Sequence, residues 1–104
     1  MAAADMTATE WGYVVGGTDT DARTVSNDKL WVKAIAFAGN ADNATCTITS
    51  DVNGTATSCY KFKVNGWDLD CANNFVFFGD GGRPFTKMIV TLSSADDRLY
   101  IFLT

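Results

Sequence analysis

The sequence predicts an all-β protein, a single antiparallel β-sandwich or jelly roll of about seven to eight strands. Three observations support this fold class. Short apolar segments recur about every 8 to 14 residues, and several alternate apolar with polar residues, as half-buried strands do. None shows the apolar spacing of a helix. Glycine occurs nine times, whereas the one proline, Pro84, stands where a strand is expected to begin.

The 104 residues suit one domain, and the first ten differ from the rest. Residues 1–10 are small and polar without periodicity, so we expect a flexible arm that grips a neighbouring molecule. Residues 11–104 then form the sandwich. Its first strand is expected in EWGYVV, residues 10–15, and the polar residues 16–28 should form a long loop, a kind of segment that is often functional or mobile.

The segment KLWVKAIAFAG, residues 29–39, predicts a strand that is apolar on both faces. Its alanines make a helix the rival interpretation, but its β-branched and aromatic residues favour a strand. Strict alternation divides it into two sets, Leu30, Val32, Ala34 and Ala36 against Trp31, Lys33, Ile35 and Phe37. Such a strand should be central in its sheet and covered on both sides.

The clearest local signal is a hairpin within residues 43–64. Residues that face each other across antiparallel strands share a sheet face, so here even-numbered residues should oppose even-numbered ones. This parity argues against a two-residue turn at residues 53–54 and favours a three-residue loop at 52–54 with a left-handed Gly54. The predicted pairs are Cys46 with Tyr60, Thr47 with Cys59 and Ile48 with Ser58, which places Cys46 and Cys59 on opposite faces.

The last third of the chain predicts three further strands, at residues 74–79, 84–93 and 98–104, after a connection at 65–74. The stretch GDGGRPF lacks the terminal Gly-Lys-Ser/Thr of a phosphate-binding loop, and a strand rather than a helix follows it. We therefore expect a tight turn, with Gly81 and Gly82 at positive φ. Four phenylalanines should pack beneath it: Phe75, Phe77, Phe78 and Phe85.

The composition argues against an enzyme, a cofactor and a metal site. The chain has no histidine, which removes the commonest general base and metal ligand and excludes serine–histidine and cysteine–histidine pairs. Its three cysteines, Cys46, Cys59 and Cys71, have neither zinc-site nor disulfide-framework spacing, so we expect reduced thiols and synthesis in a cytosol. The acidic pairs at residues 19–21, 68–70 and 96–97 are expected to be solvated turns.

The net charge of −4 with scattered basic residues predicts no nucleic-acid partner, and no apolar run is long enough for a membrane helix. The apolar fraction is 47%, and several strands are apolar on both faces. One sandwich can bury only one face of each sheet, so we expect other chains to cover the remaining apolar surface. We expect no catalytic residues. The candidate interface residues are Trp11, Trp31, Phe37, Trp67, Tyr100 and Phe102.

The stretches WVKAIAFAGNADNATCTITSD and FVFFGDGGRPFTKMIVTLSSADDRLYIFL resemble the small β-rich virion proteins of tailed bacteriophages, which include capsid cement and decoration proteins. The likeness lies in short strands rich in Ala, Gly and Thr, the missing histidine and the apolar C-terminal strand. It implies a non-enzymatic virion protein, assembled in the host cytoplasm, that binds the major capsid protein or other virion subunits and forms homo-oligomers. The alternatives are a tail or head–tail component, or a carbohydrate- or ligand-binding module that uses Trp11 or Trp67.

Overall fold

The computed structural model describes residues 5–16, 21–39, 44–63, 75–94 and 96–104, with the side chains of residues 62 and 63 left aside. These residues contain ten β-strands and no helix. The strands are β1 (Met6–Ala8), β2 (Gly12–Gly16), β3 (Arg23–Thr24), β4 (Lys29–Ala38), β5 (Thr45–Val52), β6 (Thr55–Lys63), β7 (Phe75–Phe77), β8 (Arg83–Thr86), β9 (Ile89–Leu92) and β10 (Arg98–Leu103). The predicted all-β class is confirmed.

The strands form two antiparallel sheets that pack together as a β-sandwich. Sheet 1 has the order β1-β2-β10-β4-β7, and β8 also pairs with β4. Sheet 2 has the order β3-β9-β5-β6. As predicted from its apolar content, β4 is a central strand, and it pairs in sheet 1 with β10, which is also central.

The core consists of the inward-facing side chains of the two sheets, which meet as an apolar layer. Sheet 1 contributes Val15, Val32, Ile35, Phe37, Phe85, Leu99 and Ile101, and sheet 2 contributes Cys46, Ile48, Val90 and Leu92. Each of these side chains is at most 3% exposed. Burying one large aliphatic or aromatic side chain contributes about 1.5–3 kcal/mol, so this layer is the main source of stability.

Strand β4 departs from the predicted alternation at Lys33. Phe102 of β10 opposes Ala34, but the next residue, Leu103, opposes Val32, so Lys33 is an extra residue in β4. This bulge turns Leu30 and Val32 to the core together with Ile35 and Phe37, and leaves the outer face to Trp31, Ala34 and Ala36. The predicted division of β4 into two alternating sets is therefore wrong beyond residue 32, because a bulge shifts the side-chain period by one.

The β5–β6 hairpin is present, but its turn differs from the predicted one. Val52 pairs with Thr55 across a two-residue turn, in which Asn53 and the left-handed Gly54 have φ values of 52° and 82°. Thr49 opposes Ser58 while Ile48 opposes Tyr60, so Cys59 is an extra residue. Even-numbered residues do oppose each other in the half of the hairpin away from the turn, but the cause is the bulge at Cys59 and not a three-residue loop. The predicted pairs are thus wrong by register, although Gly54 is left-handed as predicted.

The N-terminal residues that are described are not an arm. Met6–Ala8 form an edge strand on β2, and the amide of Gly16 donates to the carbonyl of Asp5 at 2.7 Å. Met6 packs against the core. Of residues 5–10, which we expected to form a flexible arm, Met6–Ala8 therefore belong to sheet 1, and residues 9 and 10 lead into β2.

Gly12 is required where β2 meets β10. Its φ is +155°, and a Cβ placed there would collide with the carbonyl oxygen of Ile101. The same approach lets the amide of Leu103 donate to the carbonyl of Trp11 at 2.9 Å. The pairing of β2 with β10 thus depends on the absence of a side chain at position 12, and this pairing places Trp11 against sheet 1.

The turn between β9 and β10 contains the one fully buried carboxylate among the described residues, Asp97. Ser93 Oγ donates to Asp97 Oδ2 at 2.9 Å and accepts from the amide of Thr45 at 2.8 Å, which ties this turn to β5. Cys46 lies nearby in the core. Its thiol pKa is raised far above the ordinary value, chiefly by burial and secondarily by the charge of Asp97. Asp97 therefore has a structural role in sheet 2.

Candidate interaction surface

The outer face of sheet 1 is aromatic. Tyr100 of β10 lies between Val14 and Ala36, and Ala36 in turn pairs with Phe75. In the next row Phe102 lies between Gly12 and Ala34, and Ala34 pairs with Phe77. Because directly opposed residues share a face, two rows of rings run across the sheet on the side away from the core. We call this surface the aromatic face; the residues that define it are Trp11, Trp31, Ala34, Ala36, Phe75, Phe77, Tyr100 and Phe102.

Trp11 is held against this face by its backbone and its ring. The Thr9 side-chain oxygen accepts from the amides of Gly12 at 3.0 Å and Trp11 at 3.3 Å, which closes the turn before β2. The indole stacks on Phe102 with centroids 4.7 Å apart and planes 28° apart, and lies 6.4 Å from Tyr100. Offset stacking of this kind contributes about 0.5–1.5 kcal/mol beyond area burial, so the indole has a fixed orientation.

A groove crosses the aromatic face along β4. Its floor is Ala34, which is only 4% exposed although it faces outward, because taller rings flank it. The groove has a volume of about 260 Å³. Its lining consists of Trp11, Lys33, Ala34, Phe75, Phe77, Phe102 and Leu103. The small alanine side chains of β4 therefore create a slot between the aromatic rows of β10 and β7.

Several rings of this surface remain in water. Phe75 is 51% exposed, Phe77 56%, Trp31 49% and Trp11 40%. Isolated exposed apolar residues are ordinary, but contiguous ones mark interaction sites. Phe75 and Phe77 lie on adjacent rows of one edge strand and border the same groove as Trp11. The aromatic face is thus a candidate binding surface.

The structure brings four of the six predicted interface residues together on this face. Trp11 and Trp31 are exposed, and Tyr100 and Phe102 are half-buried. Phe37 is fully buried in the core, which corrects its assignment as an interface residue, since it has no surface to offer a partner. Trp67 lies outside the described residues.

Sequence reasoning missed the groove residues Lys33, Phe75 and Phe77. The two phenylalanines were expected beneath the following turn, but both point outward, because β7 is in register with the outward-facing alanines of β4. Their alternation with Val76 and Phe78 was the available signal. Lys33 could not have been found, since its position depends on the bulge.

The stretch GDGGRPF is a turn, as predicted, and Gly82 has the predicted positive φ, whereas the second glycine at positive φ is Gly79. Gly79 and Gly82 have φ values of 104° and 77°, and the amide of Gly82 donates to the carbonyl of Gly79 at 3.1 Å. Gly81 has no positive φ, so that part of the prediction is wrong. Phe85 packs beneath the turn and is fully buried, and Phe78 is half-buried.

A second aromatic cluster closes the sandwich beside this turn. Arg83 lies over the rings of Tyr60, Phe85 and Phe78, with its guanidinium carbon 5.2, 5.2 and 5.9 Å from their centroids. Phe78 makes edge contacts with the other two rings, at 5.4 and 5.7 Å. Such a cluster could hold a ligand cation, but Arg83 already takes that place. Its role is therefore to join β6 of sheet 2 to β8 of sheet 1.

Chemistry-bearing groups are sparse in the described part of the chain. Its residues include no group of three or more acidic or cysteine side chains that could hold a metal ion. Cys46 and Cys59 are both free. Burial raises the thiol pKa of Cys59, an effect that the nearby Arg83 partly offsets. No helix among the described residues is long and apolar enough to cross a membrane.

A scan against models of known protein families finds none that matches this sequence, and a search of curated proteins finds no match either. The aromatic face is therefore interpreted from its own geometry and chemistry.

Proposed function

We propose that this chain is a non-enzymatic structural protein of a virion, of the capsid cement or decoration type, which stabilises contacts between neighbouring capsid subunits through its aromatic face. The observation that carries the proposal is the exposed aromatic surface on the outside of a sheet whose inside is already a complete core. A protein that acts alone gains nothing from four large aromatic side chains in water at 40–56% exposure.

The shape of the face supports a contact with another protein. The rings are held by β-strands and by stacking, so little side-chain entropy is lost when they bind. Tryptophan, tyrosine and phenylalanine are the residues enriched at the energetic centres of protein interfaces. A decoration protein repeats one modest contact many times over a shell, and avidity then makes the attachment stable.

A carbohydrate-binding module is the alternative. Trp11 favours it, because a half-exposed indole of fixed orientation can stack on a sugar ring. Sugar recognition also needs several hydrogen-bonding side chains around the ring. The groove offers one, Lys33, and the cleft on the other side of Trp11 includes Thr9, Glu10, Tyr13 and Thr104. Of the four exposed rings, however, only Trp11 borders that cleft. The protein-binding function therefore accounts for more of the surface.

The test is whether the chain is part of a particle. Tailed particles would be induced from cells that carry the gene, banded in a density gradient and analysed by mass spectrometry. We expect the protein to band with the shell in a fixed ratio to the major capsid subunit. Its absence from such particles, together with quenching of tryptophan fluorescence by simple glycans, would overturn the proposal in favour of the alternative.

A matched pair of variants connects the particle to the face. F77S removes an exposed ring of the aromatic face, whereas V52S removes an exposed apolar side chain, 53% exposed, at the tip of the β5–β6 hairpin. We expect F77S to weaken particle binding and V52S to leave it unchanged. Equal behaviour of the two variants would show that the aromatic face is not the attachment surface.

A further inference from the structure

The aromatic face carries positive charge only. The six strands of sheet 1 contain no aspartate or glutamate and four basic residues. Arg83 lies at the joint between the two sheets, which leaves Lys29, Lys33 and Arg98 for the outer side. This is the reverse of the whole chain, whose net charge is −4. Glu10 lies in the adjoining cleft on the other side of Trp11 and does not line the groove. The surface that binds is therefore also locally cationic.

Lys33 is the charged residue of the groove. The bulge in β4 places it on the outer face beside Ala34, and the amide of Phe78 donates to its carbonyl at 2.8 Å, which fixes the backbone of the bulge. Within the part of the chain that the structure describes, its ammonium has no hydrogen-bond or ion-pair partner. The groove thus combines apolar walls with one available cation.

Resting on the proposed function, we propose that the groove binds a segment of a partner protein in which a large apolar side chain stands next to an aspartate or glutamate. The apolar side chain lies over Ala34, between Phe102 and Phe77. The neighbouring carboxylate pairs with the ammonium of Lys33. Specificity for the partner then comes from the charge, and most of the affinity comes from the rings.

The size of the groove favours a side chain over a small-molecule ligand. Its volume of about 260 Å³ lies below the ~300–1,000 Å³ of pockets that enclose cofactors and other small molecules. It is open along β4, with rings on both sides, as a slot for an anchoring side chain would be. A partner residue can enter it without moving the sheet.

The charge favours a different protein over a second copy of this chain. If two copies met through this face, both would contribute Lys33 and Arg98 to the interface, and no strand of the face would contribute a carboxylate to match them. Like charges at an interface oppose association, whereas an acidic partner is attracted. The experiments must therefore be able to detect binding of a second copy of this chain at the groove.

The test is an unbiased peptide selection. Yeast-displayed random 12-residue peptides would be selected on the full-length immobilised protein. We expect the enriched peptides to share an aromatic or long aliphatic residue beside Asp or Glu. Enrichment of peptides without an acidic residue, or no enrichment at all, would overturn the proposal.

Variants then locate the site. For the best selected peptide, K33M, which keeps the length and removes the charge, should weaken the affinity about fivefold, and K33R should restore most of it. The control K61M removes an exposed lysine from the outer face of sheet 2 and should have no effect. High salt should weaken binding to the wild type more than binding to K33M. Equal affinity of K33M and wild type would contradict the role of Lys33.

A34L tests the slot independently, because a leucine on the floor fills it. We expect A34L to abolish peptide binding, with circular dichroism confirming the fold. Sedimentation of the wild type alone tests whether the groove binds a second copy of this chain. A wild-type dimer that the A34L substitution dissociates would overturn the proposal of an acidic partner protein. Particle binding that depends on Phe77 but not on Lys33 would overturn this inference and leave the proposed function intact.

Discussion

The two sheets have similar inner faces and very different outer faces. On sheet 2 the central outward row consists of Thr47, Thr91 and Lys61. On sheet 1 the corresponding row consists of Tyr100, Ala36 and Phe75. Sheet 2 thus has one apolar face, which is buried in the core, and one polar face, which suits contact with water. Sheet 1 is apolar on both faces. Among the residues that the structure describes, four of the five exposed large apolar side chains, Trp11, Trp31, Phe75 and Phe77, lie on the outer face of sheet 1.

This arrangement gives the molecule one polar side, on sheet 2, and one apolar side, on sheet 1. Threonine and lysine on sheet 2 hydrate that side of the molecule, and apolar patches of several hundred Å² are tolerated when the rest of a surface is polar. The sequence carries the same contrast, since β5 alternates strictly while β4 and β10 do not. The four predictions that follow test it, from the largest expected effect to the smallest.

The largest effect is expected where β2 joins sheet 1. G12A puts a Cβ into the carbonyl oxygen of Ile101 at a φ of +155°, so we expect a loss of roughly 3 kcal/mol or more in the free energy of unfolding. The counterpart on sheet 2 is G54A, where φ is +82° and a Cβ meets nothing within 4 Å. That variant should lose only about 1 kcal/mol. Urea denaturation measures both, and equal losses would contradict the close packing of β2 on β10.

The second prediction concerns the aromatic face itself. The double variant F75S/F77S should lose about tenfold or more in partner binding, as expected for truncated anchors. Its free energy of unfolding should change by about 0.5 kcal/mol or less, because both rings are more than half exposed. The control T47S/T91S, on sheet 2, should alter neither quantity. A large loss of stability in F75S/F77S would show that these rings serve the fold rather than binding.

The third prediction tests the inner face of sheet 2 through Cys46. Burial raises its thiol pKa, so above about pH 9 the unfolded chain releases a proton that the folded chain retains, and stability falls with rising pH. From pH 9 to pH 10 the loss should be about 1 kcal/mol, and below about pH 8 this contribution is constant. C46A lacks the thiol, so its denaturation curves should show a correspondingly shallower pH dependence. Identical slopes would place Cys46 in water.

The smallest effect is expected at the joint between the sheets. R83M removes the guanidinium from the rings of Tyr60 and Phe85 while it keeps most of the apolar stem. We expect a loss of about 1 kcal/mol in the free energy of unfolding, in the range of cation–π contacts. R83K should lose less. K87M, an exposed lysine of the same segment, is the control, and a loss equal to that of R83M would contradict the specific contact.

The sequence was sufficient for the all-β class, the central position of β4 and the existence of the β5–β6 hairpin. It was insufficient wherever a bulge intervened. Alternation assigns side chains to faces only while the period of two is unbroken, and Lys33 and Cys59 each interrupt it. Phe37 was misassigned for this reason, since it reaches the core only through the shift at Lys33.

The bulge at Cys59 also limits how copies of this protein can meet. Strand β6 is nine residues long and lies at the edge of sheet 2, where unpaired amides and carbonyls could template the addition of a foreign strand. The bulge at Cys59 lies in the middle of this edge strand and is followed by Lys61. It breaks the even spacing of backbone hydrogen-bonding groups that an added strand would need. This border of the molecule is therefore poorly suited to fibre-like growth by strand addition.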